Sequence, residues 1–86
     1  MNMNDARLLV LKAMRQAEII GDQDFDRMKS AAESEIQLAE LNIDSMKVID
    51  LCNCLEELLG REVQVEELVE NPSVGALAKH FSESNS

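Results

Sequence analysis

The sequence predicts an all-α fold: a small four-helix bundle of three main helices and one short helix, in a single domain spanning residues 1–86. Three observations predict it. The 86 residues include no Trp, no Tyr and only two Phe, so the core must come from Leu, Ile, Val, Met and Ala, which suits helices better than a sandwich or barrel. Three stretches repeat apolar residues at three- and four-residue steps, the pattern of a helix with one buried stripe. Glycine, or Asn-Pro followed by serine, punctuates the ends of those stretches. At this size only about 60–65% of the unfolded surface can be buried, which leaves room for one modest core.

The first stretch, residues 5–20, places Ala6, Leu9, Val10, Ala13, Ala17 and Ile20 on one stripe. Asn4 or Asp5 is its expected cap and Gly21 its expected stop, because glycine enters the left-handed region at low cost. Residues 21–44 begin with a polar, turn-like run and carry only an intermittent apolar pattern, so they read as a long loop with a short helical piece around residues 27–32. Phe25, Met28, Ile36, Leu38, Leu41 and Ile43 are the side chains expected to pin it to the core.

A second strong helix runs over residues 45–59, stopped by Gly60, and a short one follows over residues 65–70. Asn71-Pro72 ends that piece, since the residue before proline is pushed out of helical geometry. Ser73 then caps a last helix to about Phe81, with Val74, Leu77, Ala78 and Phe81 facing inward. The ordered part is expected over residues 5–82, with a frayed tail behind it; no internal repeat or Pro/Gly-rich linker divides the chain.

Lys plus Arg number 8 against 17 Asp plus Glu, a net charge of -9, which repels nucleic acid and anionic lipid and favours basic protein partners. No apolar run approaches the roughly 20 residues of a membrane span, and no signal peptide opens the chain, so a cytoplasmic, monomeric protein is expected. Cys52 and Cys54 stand two apart on a helix, point to different faces and read as reduced thiols with no metal role.

The chemistry concentrates at the start of the second strong helix. With Asp44 as N-cap, Ser45 is the first helical residue and its hydroxyl is not spent on capping. That alcohol then sits among unpaired backbone N–H groups, where the helix dipole favours an anion. Projected at about 100° per residue, Val48, Leu51, Cys52, Cys54, Leu55, Leu58 and Leu59 form the core arc, and Met46, Asp50, Asn53 and Glu57 form the opposite strip, with Ile49 and Glu56 flanking it. An apolar Met on an acidic solvent-facing strip marks a docking surface. A hydrolytic role for Ser45 lacks a base: the single histidine, His80, lies on the last helix and reads as an exposed residue without a chemical role.

Leu41-Asn42-Ile43-Asp44-Ser45-Met46 resembles the attachment motif of acyl and peptidyl carrier proteins, usually Leu-Gly-x-Asp-Ser-Leu, and the order of helices and the Asn71-Pro72-Ser73-Val74 segment resemble that family over roughly residues 5–82. Two positions depart from it: Asn42 stands where glycine is usual, and Lys47 where an acidic residue is common. The resemblance implies a bundle of acyl-carrier-protein type and a carrier, not an enzyme. A phosphopantetheinyl transferase moves 4′-phosphopantetheine from coenzyme A onto the serine, and the arm's thiol holds cargo as a thioester. It further implies Ser45 as the attachment residue and Asp44 as the neighbour that helps the transferase recognise it or bind its Mg²⁺. Asp50, Asn53, Glu56 and Glu57, with Met46 beside the arm, would meet basic patches on loading, condensing and modifying enzymes of fatty acid, polyketide or nonribosomal peptide synthesis. The Asn-Pro-Ser-Val segment leans toward the latter two, and the initiator Met and polar tail toward a free-standing protein.

Two other readings compete. Asp22, Asp24, Asp26 and Glu33 have the one, three, five and twelve spacing of a calcium loop, although Arg27 occupies the sixth position, where the turn requires glycine. A small acidic helical adaptor, with Ser45 serving only as part of a helix start, is the second.

Overall fold

The structure, a computed structural model, describes residues 2–30, 36–41 and 43–84. Five α-helices follow one another: α1 (Met3–Gln16), α2 (Asp22–Ser30), α3 (Ser45–Leu59), α4 (Val65–Glu70) and α5 (Val74–Ser84), with a 3₁₀ turn at Leu38–Leu41 before α3. No strand occurs among the described residues, and the all-α bundle expected from the apolar periodicity is the fold observed. α1 packs against α5, α3 and α2, while α4 leans on α3. Val10, Leu11, Met14, Leu51, Leu55, Val74, Leu77 and Phe81 are all but removed from solvent, so three helices supply the centre of the core. Each such side chain contributes about 1.5–3 kcal/mol relative to exposure.

α1 begins and ends earlier than its apolar stripe. Its cap is Asn2, not Asn4 or Asp5, and Asn2 Oδ1 accepts from Asp5 N–H at 2.8 Å. Its stop is not Gly21: Glu18 takes the left-handed conformation (φ 61°), Glu18 N–H donates to Arg15 O at 3.0 Å, and Ile19 N–H donates to Met14 O at 2.9 Å. This is a Schellman ending with glutamate at the position that glycine usually fills. Ala17 and Ile20, expected on the helix stripe, are buried by this turn instead.

The largest difference lies at residues 22–30, read as loop and observed as the nine-residue helix α2. Only Phe25 is buried there, so no apolar stripe announces the helix. Charge writes it instead. Asp22 and Asp24 occupy the first turn, Arg27 and Lys29 the last, matching the helix dipole. Asp24–Arg27 (2.7 Å) and Asp26–Lys29 (3.9 Å) add two three-residue-spaced pairs. Arg15 and Lys29 lie over the Phe25 ring at 4.1 and 5.4 Å, which anchors α2 to α1. The expected helical piece at residues 27–32 overlaps α2 at its start, and its remainder lies outside the described residues.

Between α2 and α3 the chain is tied to the start of α5. Leu38 N–H donates to Pro72 O and Val74 N–H to Ile36 O, both at 2.9 Å, around an isolated antiparallel bridge between Gln37 and Ser73. α3 and α4 keep their expected bounds. Gly60 closes α3 at φ 73°, Asn71 and Pro72 close α4, and Ser73 Oγ accepts from Ala76 N–H at 3.1 Å to cap α5. α5 continues to Ser84, past the end expected at Phe81.

Candidate functional site

The site is the first turn of α3. Asp44 has extended geometry (φ -89°, ψ 179°), and its Oδ1 accepts from Lys47 N–H at 2.9 Å. The carboxylate therefore performs the capping that a serine in the next position would otherwise be drawn into. Ser45 is exposed, and its Oγ makes no hydrogen bond to any described residue. An alcohol left uncommitted beside the unpaired N–H groups of a helix start suits a phosphodiester ester-linked through its oxygen.

Around this alcohol the strip on α3 is arranged as its spacing predicts. Asp50, Asn53 and Glu57 are exposed, Met46 is 75% exposed and Ile49 54% exposed. Glu56 is different. It is half-buried, and its Oε1 accepts from Val63 N–H at 3.2 Å, fastening the connector behind α3. Its carboxylate is thus engaged within the bundle, while Asp50 and Glu57 face outward. On the other side, Leu51, Cys52 and Leu55 are buried, and Val48, Cys54, Leu58 and Leu59 are partly buried.

Lys47 directs its ammonium away from the strip, toward the end of α1. Its Nζ donates to Ala17 O at 2.9 Å, at the end of α1. Nothing in the residue pattern indicates that contact, because it joins positions 30 apart in the chain.

The thiols lie on the same helix. Burial raises the pKa of Cys52, and the carboxylates of Glu56, Glu67 and Glu66 push it further. Burial likewise raises that of Cys54, with Glu57 and Asp50 adding to it. Both stay protonated and poorly nucleophilic. Neither is disulfide-bonded.

Behind the far end of α3 lies a cluster that sequence reasoning missed. Glu67 Oε1 receives Arg61 Nη2 at 2.9 Å and lies 2.7 Å from His80 Nε2, while Gln64 N–H donates to Oε2 at 2.7 Å. Burial alone would raise the Glu67 pKa, but the hydrogen bonds from Arg61, His80 and Gln64 outweigh it, and the carboxyl falls to about 2. His80 is therefore not the exposed bystander expected. It is half-buried and fixes α5 to α4. The Gln64-x-x-Glu67 spacing at a helix start was the available signal.

The calcium reading meets a helix where it needs a loop. Asp22, Asp24 and Asp26 all lie within α2, and the last two pair with Arg27 and Lys29. Glu33 and Asn42 lie outside the described residues. Among the described residues no helix is long and apolar enough to cross a membrane.

A small acidic helical bundle that opens its central helix on a capped, exposed serine has the architecture of a carrier domain. A family model described as the phosphopantetheine attachment site matches residues 17–81, most of the chain, and the chain belongs to that family. It is a carrier-protein domain whose prosthetic group is covalent 4′-phosphopantetheine. Nonribosomal peptide synthetase 2 of Gibberella zeae is 42% identical over 41 residues, 48% of this chain. The chain spans about 1% of the length of that relative. No solved structure matches the chain.

Proposed function

We propose that the chain bears its 4′-phosphopantetheine arm on Ser45 and passes acyl, aminoacyl or peptidyl intermediates as thioesters between partner enzymes. The observation that carries this reading is the exposed Ser45 hydroxyl, bonded to none of the described residues, at a helix start whose cap is supplied by Asp44. The arm, once attached, supplies a terminal thiol that activates the cargo as a thioester. The chain's own part is to hold the alcohol at the surface and to present a recognition face beside it.

That face is Met46, Asp50, Asn53 and Glu57, an acidic strip with one apolar contact, suited to basic patches on the transferase and on loading and condensing enzymes. Glu56 contributes at its margin. Asp44 stands beside the reacting oxygen, where its second carboxylate oxygen is open to the transferase or its Mg²⁺. Among pathways, nonribosomal peptide synthesis has the added support of the Gibberella zeae relative; polyketide and fatty acid synthesis use the same chemistry.

Incubation with coenzyme A and a broad transferase, followed by intact mass, tests the reading. Wild-type protein gains one phosphopantetheine and Ser45→Ala gains none. An adduct on Ser45→Ala would refute the assignment.

A further inference from the structure

We infer that Lys47 is a positioning residue for the attachment reaction: it staples the first turn of α3 to the end of α1 and so fixes where the Ser45 hydroxyl points. The inference rests on the reading of Ser45 as the attachment residue and goes beyond it, because no motif assigns Lys47 a role.

The geometry has two halves that meet at one side chain. On one side, Lys47 is the residue whose backbone N–H completes the Asp44 cap, at 2.9 Å, so its main chain belongs to the turn that carries Ser45. On the other, its ammonium donates to Ala17 O at 2.9 Å. Ala17 is the C-cap of α1, and the turn after it returns Glu18 N–H to Arg15 O and Ile19 N–H to Met14 O. That ending satisfies carbonyls further back and leaves Ala17 O without a partner inside the helix. A cation at the negative end of α1 supplies the partner, in the orientation that the helix dipole favours.

The spacing of the helices gives the contact its importance. Between the end of α1 and α3 runs a groove of about 300 Å³ lined by Gln16, Glu18, Lys47, Asp50, Asn53 and Cys54. Leu11 and Met14 lie deeper in the core with Leu51 and Leu55, and Val48 and Cys54 are only partly buried against it. The Lys47 side chain lines this groove and crosses it to Ala17 O, two residues from the alcohol to be modified. A first turn held by its cap alone keeps its helical geometry but pivots relative to α1. The staple removes that freedom.

The same contact gives the charge a fixed place: the ammonium is held at Ala17 O, at the α1 side of the strip, while Met46, Asp50, Asn53 and Glu57 are exposed.

The test compares wild type with Lys47→Met, Lys47→Gln and Lys47→Arg as substrates for a purified transferase with coenzyme A, reading kcat and KM by intact mass, with Ser45→Ala alongside. Lys47→Met keeps the aliphatic stem and removes the donor. Its kcat should fall about ten-fold, because a small misplacement of a reacting atom is costly, with KM for the carrier unchanged within about two-fold. Lys47→Arg, which still reaches a carbonyl, should restore kcat. Wild-type kcat in Lys47→Met overturns the inference, and so does a loss confined to KM, or an Lys47→Arg as slow as Lys47→Met. If Lys47→Met does not fold, Lys47→Gln decides by the same split. Modification of Ser45→Ala would instead refute the attachment assignment, a separate failure.

Discussion

The two ends of α3 solve the same problem in opposite ways. A helix leaves its first N–H groups and its last carbonyls without partners, and each end must find others for them. At the far end nearly every polar group is spent. Gly60 N–H returns to Glu56 O at 2.8 Å, Glu56 takes Val63 N–H, and Arg61, Gln64 and His80 converge on Glu67. At the near end one carboxylate makes one cap, one ammonium reaches across to α1, and the Ser45 hydroxyl bonds to none of the described residues. The contrast bears on the proposal that Ser45 is the modified residue: it lies at the end whose hydrogen bonding is sufficient for order yet, among the described residues, leaves that alcohol unspent.

The largest test addresses what both ends share. Leu55 is fully buried in the middle of α3, and Leu55→Ala should cost about 2–5 kcal/mol by lost transfer energy and the cavity left behind. Urea unfolding measures the loss. Hydrogen exchange at Val48 and Leu59 should rise together, because the core anchors both ends; a rise confined to one end would break the comparison.

Next in size is the far end alone. The Glu67 carboxyl is held at about 2, well below its ordinary value of 4.5. A carboxyl with a lowered folded pKa stabilises the native state above its unfolded pKa and loses that contribution as pH falls through the folded one. Allowing for solvent screening, the contribution is about 1–2 kcal/mol, present at neutral pH and lost between about pH 4.5 and 2. Glu67→Gln should therefore be weaker than wild type at pH 7 and converge on it toward pH 2. A difference between the two proteins that does not shrink with acidification would show that Glu67 acts by packing and not by charge. Attachment to Ser45 should proceed at near wild-type rate in this variant, since the near end is untouched.

What the sequence made legible follows the same division. Periodicity located α3 and α5 and the core side chains Leu51, Leu55, Val74, Leu77 and Phe81, because burial repeats with the helix period. The Asp44 cap and the exposure of Ser45 were readable too, being local chemistry between neighbours. α2 was not, since its helix rests on charge pairs and the dipole, with Phe25 as its sole buried residue. The end of α1 was missed because glutamate occupies a left-handed position for which glycine was the expected signal. His80 was misjudged, and the Lys47 contact was not foreseen, for a different reason: each meets a partner from another part of the chain, Glu67 and Ala17, and periodicity does not encode such a meeting.

Two smaller tests address the near end. Asp44→Ala removes the cap and should cost about 1 kcal/mol, visible as faster exchange at Lys47 and Val48 with no change at Leu59. Slowed attachment is expected as well, because the turn that presents Ser45 frays. If exchange at the two ends rose equally, the near end would not be the separable unit described above.

The smallest effect is expected at Glu18, which follows Ala17, the residue whose carbonyl Lys47 reaches. A side chain held at φ 61° costs about 1–2 kcal/mol relative to helical geometry, and glycine at this position avoids that penalty. Glycine also gives the unfolded chain more freedom, which offsets about 0.5–1 kcal/mol of the gain. The balance for Glu18→Gly is a net stabilisation of about 0.5 kcal/mol, or roughly 2–4 °C in Tm for a domain of this size. Thermal unfolding monitored by circular dichroism resolves that shift. A fall in Tm would mean that glycine loosens the turn more than it relieves it.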